Sequence, residues 1–240
     1  MRKLIKMFIV IWALVTVFIV NMCNVSAASS GDKNVTTDGD LSLSEEGEVY
    51  APTTEDLALD AYKMMQAKKT RASSKFNKVL PVPVYKQLND YYCGPATVKQ
   101  VLSYVNGNSL SQEKYAIELG TKINEGTVMP EIKKVLNKYA PDKLYTYVQI
   151  DQNDYDNWEF RIHSATSWDR PVVINIRSNS TNWMYKTNGH YMCTAGLDNT
   201  GRITYVYVAD PHPRYYGRHK IEAKKVNKVN MAHPRHAVIW

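Results

Sequence analysis

Apolar positions are spread unevenly along the 240 residues, and their spacing changes character several times. The first stretch, Phe8 to Val20, is apolar throughout except for Thr16. Residues 28–53 then carry Ser, Thr, Gly and Asp with few large apolar side chains, too few to order the segment. From Thr53 the pattern predicts a helix. Thr54 caps it, Glu55 and Asp56 suit its first turn, and Leu57, Ala61 and Met64 or Met65 form a stripe ending near Lys68-Lys69. Residues 70–78 are basic and polar and read as a linker.

The main domain starts near Leu80. Leu80-Pro-Val-Pro-Val84 is extended, because each Pro excludes helical geometry from the residue before it. Gly94-Pro95 opens a helix with Ala96, Val98, Val101, Leu102 and Val105 at helical spacing, and Asn106-Gly107 stops it. A second helix follows the capping-box spacing of Ser109-Leu-Ser-Gln112 and runs to Gly120. A third starts after Gly126-Thr127, with Met129, Ile132, Leu136 and Tyr139 on one face. Leu144 to Ile150 reads as a strand and 154–167 as a helix carrying Trp158, Ile162 and Ala165.

Beyond this point the period changes from helical to extended. Pro171 to Ile176, His190 to Leu197 and Arg202 to Val208 read as strands, and His236 to Trp240 closes the sheet. The polar segment 178–189, with Trp183 and Tyr185, is long enough to act as a lid or specificity loop. Helices first and an antiparallel sheet second make the fold α+β, with the N-terminal helices packed on the C-terminal sheet.

Charge divides the chain in the same places. Residues 1–27 carry +3 from Arg2, Lys3 and Lys6; residues 28–60 carry −8 from nine acids and Lys33; residues 61–240 carry +12, for a total of +7. Three bases, a thirteen-residue apolar centre and the small-residue exit Val25-Ser26-Ala27 describe a secretory signal cut after Ala27. The centre is short of the ~20 residues that span a bilayer, so a retained anchor is the lesser reading. Cleavage leaves two cysteines, Cys93 and Cys193, in a protein expected to be secreted or associated with the cell envelope. The expected organisation is a signal over 1–27, an acidic leader with helix and linker over 28–78, and the main domain over 79–240. The leader and helix read equally as a pro-segment lying against the basic domain or as a solvated spacer.

Cys93 stands immediately before the helix that Gly94-Pro95 starts. Free N–H groups and the positive end of the helix dipole favour a thiolate there, a competent nucleophile once a proton carrier is near. Asp198-Asn-Thr-Gly201 is a hairpin turn, and folding about it pairs positions whose numbers sum to about 400. His190 and Asp210 then become cross-strand neighbours, an imidazole oriented by a carboxylate. The other histidines, His163, His212, His219, His233 and His236, have no comparable relation to a carboxylate. A Cys93–Cys193 disulfide is the competing reading for a secreted chain. Strand alternation opposes it, since Cys193 faces the side opposite His190 and reads as a buried core thiol. No His-Glu-x-x-His or paired Cys-x-x-Cys occurs, so no metal and no other cofactor is expected.

Pro81-Val-Pro-Val-Tyr-Lys-Gln87, Tyr92-Cys-Gly-Pro-Ala-Thr97, Gly189-His190 and Val208-Ala-Asp-Pro211 resemble the papain-fold peptidases related to bacteriocin double-glycine leader peptidases, cysteine-peptidase family thirty-nine. The resemblance covers about residues 80–215. It implies a papain-like fold, Cys93 as nucleophile, His190 as general base and acid, and Asp210 as orienter. It also implies that Gln87 donates to the oxyanion beside the Cys93 N–H. This chain has no phosphate-binding Gly-rich loop and no further spans, unlike the transporter-linked members. It also lacks the Cys-Gly-Ser-Cys-Trp signature of plant-type papains and the Asp-Cys-Ser-Gly motif of other secreted wall peptidases.

The expected function is therefore a secreted cysteine peptidase acting on a peptide or protein through an acyl-enzyme. Acyl transfer or transpeptidation by the same residues, and a non-catalytic papain-fold binding module, are the alternatives. The basic domain suits anionic cell-wall polymers or lipid; no Arg-rich or aromatic motif suggests nucleic acid, and a monomer is expected.

Overall fold

A computed structural model describes residues 50–70, 75–179 and 181–240. The expected signal over 1–27 and the leader as far as residue 49 lie outside them. Among the described residues, no helix is long and apolar enough to cross a membrane.

The first helix among the described residues, α1 (Thr54–Thr70), forms where the pattern placed it, but Thr53 rather than Thr54 is its cap. Thr53 Oγ1 accepts from the Asp56 N–H at 3.1 Å, and Asp56 Oδ2 accepts in return from the Thr53 N–H, a reciprocal closure of free helix donors. After the short strand β1 (Asn77–Val79) come α2 (Cys93–Asn106), α3 (Gln112–Glu118) and α4 (Met129–Tyr139). Ser111, not Ser109, caps α3, accepting from the Lys114 N–H, while Ser109 bonds the Ser103 hydroxyl. A 3-10 turn, Pro141–Lys143, leads to β2 (Tyr147–Gln149), shorter than the expected strand, and α5 (Tyr155–Ser167). The remainder is β3 (Val173–Ser178), β4 (Thr187–Asp198), β5 (Tyr205–Asp210), β6 (Gly217–Glu222), α6 (Ala223–Met231) and β7 (Ala237–Ile239).

The strands form one antiparallel sheet in the order β2-β7-β3-β4-β5-β6. β4 is its spine: β3 and then β1 pair along one edge, and β5 pairs along the other. Alternation along the strands makes two cores. Val173, Tyr191, Cys193 and Ile239 meet α2, α3 and α4 through Val101, Leu102, Tyr115, Ile132 and Leu136. Ile174, Met192, Val206 and Val238 meet α5 and α6 through Trp158, Ile162 and Val226. Helices therefore cover both faces, the C-terminal α6 joining the N-terminal helices on the sheet. The parts missing from the expectation were α6 and β6. In β6, Arg218, Lys220 and Glu222 alternate with half-buried residues on an outer strand, so no apolar run marks it.

The sheet carries one irregularity that matters for the site. Between Thr194 and Gly196 the β4–β5 pairing slips by one residue, leaving Ala195 bulged. Gly196 sits at φ +142°, and a Cβ there would lie 2.5 Å from the Lys78 carbonyl oxygen, so β1 crosses too closely for any side chain.

Helix α1, grouped with the leader from its composition, is tied to this body by buried polar contacts. The Asp56 carboxylate accepts from Lys133 Nζ at 2.8 Å and from Thr146 Oγ1 and the Tyr147 N–H, both at 3.1 Å. Asp60 takes two bonds from the Arg161 guanidinium and a third from the Trp240 indole at 2.9 Å. Burial works against the charge of Asp56, yet Lys133, Thr53 and the Tyr147 N–H outweigh it and hold the carboxyl below the usual carboxylate range. The stabilisation is thus present above the unfolded value of ~3.9 and lost as pH falls through the folded one. Replacing Asp56 by Ala leaves Lys133 and the Tyr147 N–H without their acceptor. A loss of about 3 kcal/mol is expected for a broken buried pair. Thermal unfolding at pH 7 should show the midpoint falling by about 6–12 °C for a domain of this size.

Candidate active site

Cys93 is the first residue of α2, and the cap position, Tyr92, contributes no side-chain hydrogen bond. The N–H groups of the first turn, the one missing from Pro95 excepted, are therefore not taken up by a side-chain cap. Gly94 is required by packing. A Cβ on it would stand 2.4 Å from Thr127 Oγ1, and Thr127 is fixed by its bond to Thr121 Oγ1 and by the Tyr191 hydroxyl on its carbonyl. The helix start is thereby pressed against the loop that precedes α4.

His190 lies on β4 and Asp210 ends β5. His190 Nε2 and Asp210 Oδ1 are 2.8 Å apart, and the His190 ring hydrogen-bonds the Cys93 side chain. With Nε2 committed to Asp210, Nδ1 is the nitrogen left for sulfur. All three residues are buried, Asp210 completely, and Cys93 and His190 line a cleft of about 290 Å³. The register differs from the expected one. Cys193 pairs with Ala209, so Met192 rather than His190 stands opposite Asp210. The loop between the strands is longer than a tight hairpin and the Ala195 bulge takes up one residue. His190 and Asp210 are consequently diagonal neighbours on one face, a spacing long side chains bridge.

Asp210 is satisfied on both oxygens. Oδ1 accepts from His190 and from the His212 N–H at 2.9 Å, and Oδ2 accepts from the Tyr185 hydroxyl at 2.6 Å. Burial opposes the Asp210 charge, but His190, Tyr185 and the His212 N–H prevail and hold the carboxyl below its ordinary value. Burial likewise opposes the His190 imidazolium, and the Asp210 carboxylate and Cys93 sulfur prevail, so the ring stays protonated above the ordinary histidine range. His212 goes the other way: burial, with help from the charges on His190 and Arg214, pushes it down to about 4, leaving a neutral ring.

Gln87 reaches the same cleft. Its N–H donates to the carbonyl of Pro211, next to Asp210, and its side-chain Nε2 donates to the Asn89 carbonyl at 2.8 Å. One amide hydrogen remains for the cleft, while Oε1 is buried without a partner among the described residues. Cys93 and Cys193 are both free thiols. Cys193 lies on the face opposite His190, as alternation suggested, but that face meets α2, and the thiol approaches Gln100 Oε1 at 3.6 Å, two helical turns beyond Cys93. It is a core thiol all the same, and burial pushes its ionisation well above the usual thiol range.

The structure thus brings together Cys93, His190 and Asp210, expected from the residues themselves, and Gln87, expected from the family resemblance. Three contributors were missed. Tyr185 was read only as a loop residue. His212 was set aside, although an Asp followed two residues later by a free N–H is a recognisable turn signal. Asn175, whose Oδ1 holds the His190 N–H at 3.0 Å, carried no local signal at all. Among the described residues there is no cluster of His, Cys, Asp and Glu able to hold a metal ion.

Residues 79–232 match the Peptidase_C39 like family. No curated protein matches the chain. Among solved structures, the chain is similar to a double glycine motif protease from an AMS/PCAT transporter in complex with the leader peptide (17% identity, TM-score 0.44, covering 69% of this chain and 96% of that one). It is also similar to the peptidase domain of Streptococcus ComA (16%, 0.43, 66% and 96%). A third similarity is to a recombinant stem bromelain precursor (12%, 0.46, 83% and 76%).

Asp210→Asn removes the negative partner that counters burial at His190. The ring should then lose its proton at a lower pH than in the wild type. Its imidazole NMR titration reads this directly, and an unchanged midpoint would remove Asp210 as the source of the imidazolium's persistence.

Proposed function

Because the chain belongs to the Peptidase_C39 like family, it is a cysteine-type peptidase, and we propose that it is exported and cuts peptide bonds with Cys93, His190 and Asp210 as its triad. The observation that carries this reading is the unbroken line of contacts from the Cys93 sulfur through His190 to a fully buried Asp210. The His190 ring beside the sulfur is placed to exchange a proton with it and to hand that proton to the leaving amine.

The thiolate adds to the substrate carbonyl carbon, forming the C–S bond as the C=O pair moves onto oxygen. Donors for that oxyanion are the Cys93 N–H and the remaining Gln87 amide hydrogen. When the oxyanion collapses, the C–N bond breaks and the amine leaves with the His190 proton. The neutral ring then takes a proton from water, whose oxygen adds to the thioester. Cleavage of the C–S bond releases the acid and restores thiolate and imidazolium. Asp210 stays ionised throughout and keeps the ring oriented.

Export rests on the basic, apolar and small-residue succession over 1–27, cut after Ala27. The +12 of residues 61–240 supports contact with anionic wall polymers or lipid outside the cell. The buried contacts of Asp56 and Asp60 support the reading that α1 lies against the peptidase domain.

Incubating the full chain and its Cys93→Ala variant with a peptide library tests the reading. New carboxyl ends are expected from the wild type alone, and equal products from both would remove Cys93 from the chemistry. Products joined to an added amine, in place of free acids, would assign acyl transfer. Gln87→Ala should lower kcat by ~10²–10³ with KM little changed, the usual effect of deleting one oxyanion donor.

A further inference from the structure

The segment between β3 and β4 was expected to be a lid or specificity loop, but its Tyr185 side chain is turned inward and is only 7% exposed. The hydroxyl donates to Asp210 Oδ2 at 2.6 Å, and no other described residue bonds that oxygen. The ring meets His190 edge-on, centroids 5.6 Å apart and planes at 85°. It stacks on His212 at 3.9 Å and on Tyr215 at 5.4 Å. Its main chain is pinned by Ser178 Oγ, which donates to the Tyr185 carbonyl at 2.8 Å. Its neighbours Met184, Lys186 and Thr187 line the cleft beside it.

We propose that Tyr185 is a positioning residue: it occupies the Oδ2 side of Asp210, limits the negative charge that Oδ1 presents to His190, and so links the Met184–Thr187 wall of the cleft to the proton-carrying pair. The inference rests on the triad reading above. A carboxylate shares one charge over two oxygens, and a donor on Oδ2 draws density away from Oδ1. The hydroxyl dipole also has its positive end towards the pair. Both effects loosen the hold on the imidazolium and make it a better acid towards a leaving amine. The groups that face His190 are Cys93 from α2, Asp210 from β5, His212 beyond β5 and Tyr185 itself. His212 is neutral near pH 7 because burial pushes it down to about 4, so Tyr185 is the remaining adjustable contact on the carboxylate.

Charge sharing and simple support predict opposite signs for Tyr185→Phe, which keeps the ring stacks and removes only the hydroxyl. A merely structural role would let Asp210 drift, and the His190 proton would then be lost at lower pH, as in Asp210→Asn. Charge sharing predicts that it is lost at higher pH. The test is the pH dependence of Cys93 alkylation by iodoacetamide in the full chain, read at that residue by mass spectrometry. For Tyr185→Phe the alkaline limb should move up by about 0.5–1 in pH, the scale of losing one hydrogen bond to a neighbouring charge. On a cleaved peptide, kcat should fall about 3- to 10-fold while KM holds, as expected when proton transfer is weakened. A limb that stays in place or moves down overturns the proposal. The His190 imidazole NMR titration gives the same sign without any substrate, so a poorly active variant still decides the matter. His190→Ala separates the two levels. If it labels at the wild-type rate, the triad reading falls and this inference with it. If labelling slows in His190→Ala but Tyr185→Phe matches the wild type, only the role of Tyr185 falls.

Discussion

A carboxylate with no access to water must find donors for both oxygens inside the protein, and at Asp210 this requirement organises the site. An unpaired ion at such a depth would cost several kcal/mol even after local relaxation. The donors come from three separate pieces of chain: His190 from β4, Tyr185 from the loop before it, and the His212 N–H from the turn after β5. The strand register, the loop conformation and the turn must therefore be correct together. Pro211 extends the constraint, since its carbonyl receives the Gln87 N–H and sets the approach to α2 against the same turn. Positioning Asp210 thus positions the segment that ends in Cys93.

Support from the far side of the sheet is also polar. The Trp158 indole donates to Asn230 Oδ1 at 2.8 Å, Asn230 Nδ2 donates to the Asn175 carbonyl at 2.7 Å, and Asn175 Oδ1 holds the His190 N–H. Helices α5 and α6, which cover the face opposite α2, consequently fix the main chain of the histidine. This run of bonds is buried throughout, where each unmade bond would leave a polar group stranded, so it specifies geometry as much as it adds stability.

Much of this was legible in the sequence, and the failures have physical causes. The helical spacing of Val98, Val101 and Leu102 and the run Val172 to Ile176 identify their elements, because deep burial leaves a periodic apolar trace. Cys93 was recognisable because a helix start is a local property. His190 and Asp210 were paired by counting across a turn, and the count erred by two residues. It could not see that the turn is longer or that Ala195 bulges where β1 passes over Gly196. The pairing survived because both residues kept the same face. Tyr185, Asn175 and the approach of Cys193 to Gln100 were invisible because each depends on which distant segment happens to lie alongside. Gln87 needed the family resemblance, since a side-chain amide six residues before a cysteine has no signature of its own. Composition leaves open whether helix α1 lies against the domain or is solvated, and the buried contacts of Asp56 and Asp60 seat it against the domain.

The bond from the Trp240 indole to Asp60 joins residues 180 positions apart in the chain. Contacts of such separation form late, because the intervening chain must first give up its freedom before they contribute anything. During synthesis Asp60 waits for Trp240, and with it α1 waits undocked while the helices and the sheet assemble. An apolar stripe is left uncovered for that interval. Trp240, directly after β7, thus completes the docking of α1, and the body is finished only once both ends of this contact are present.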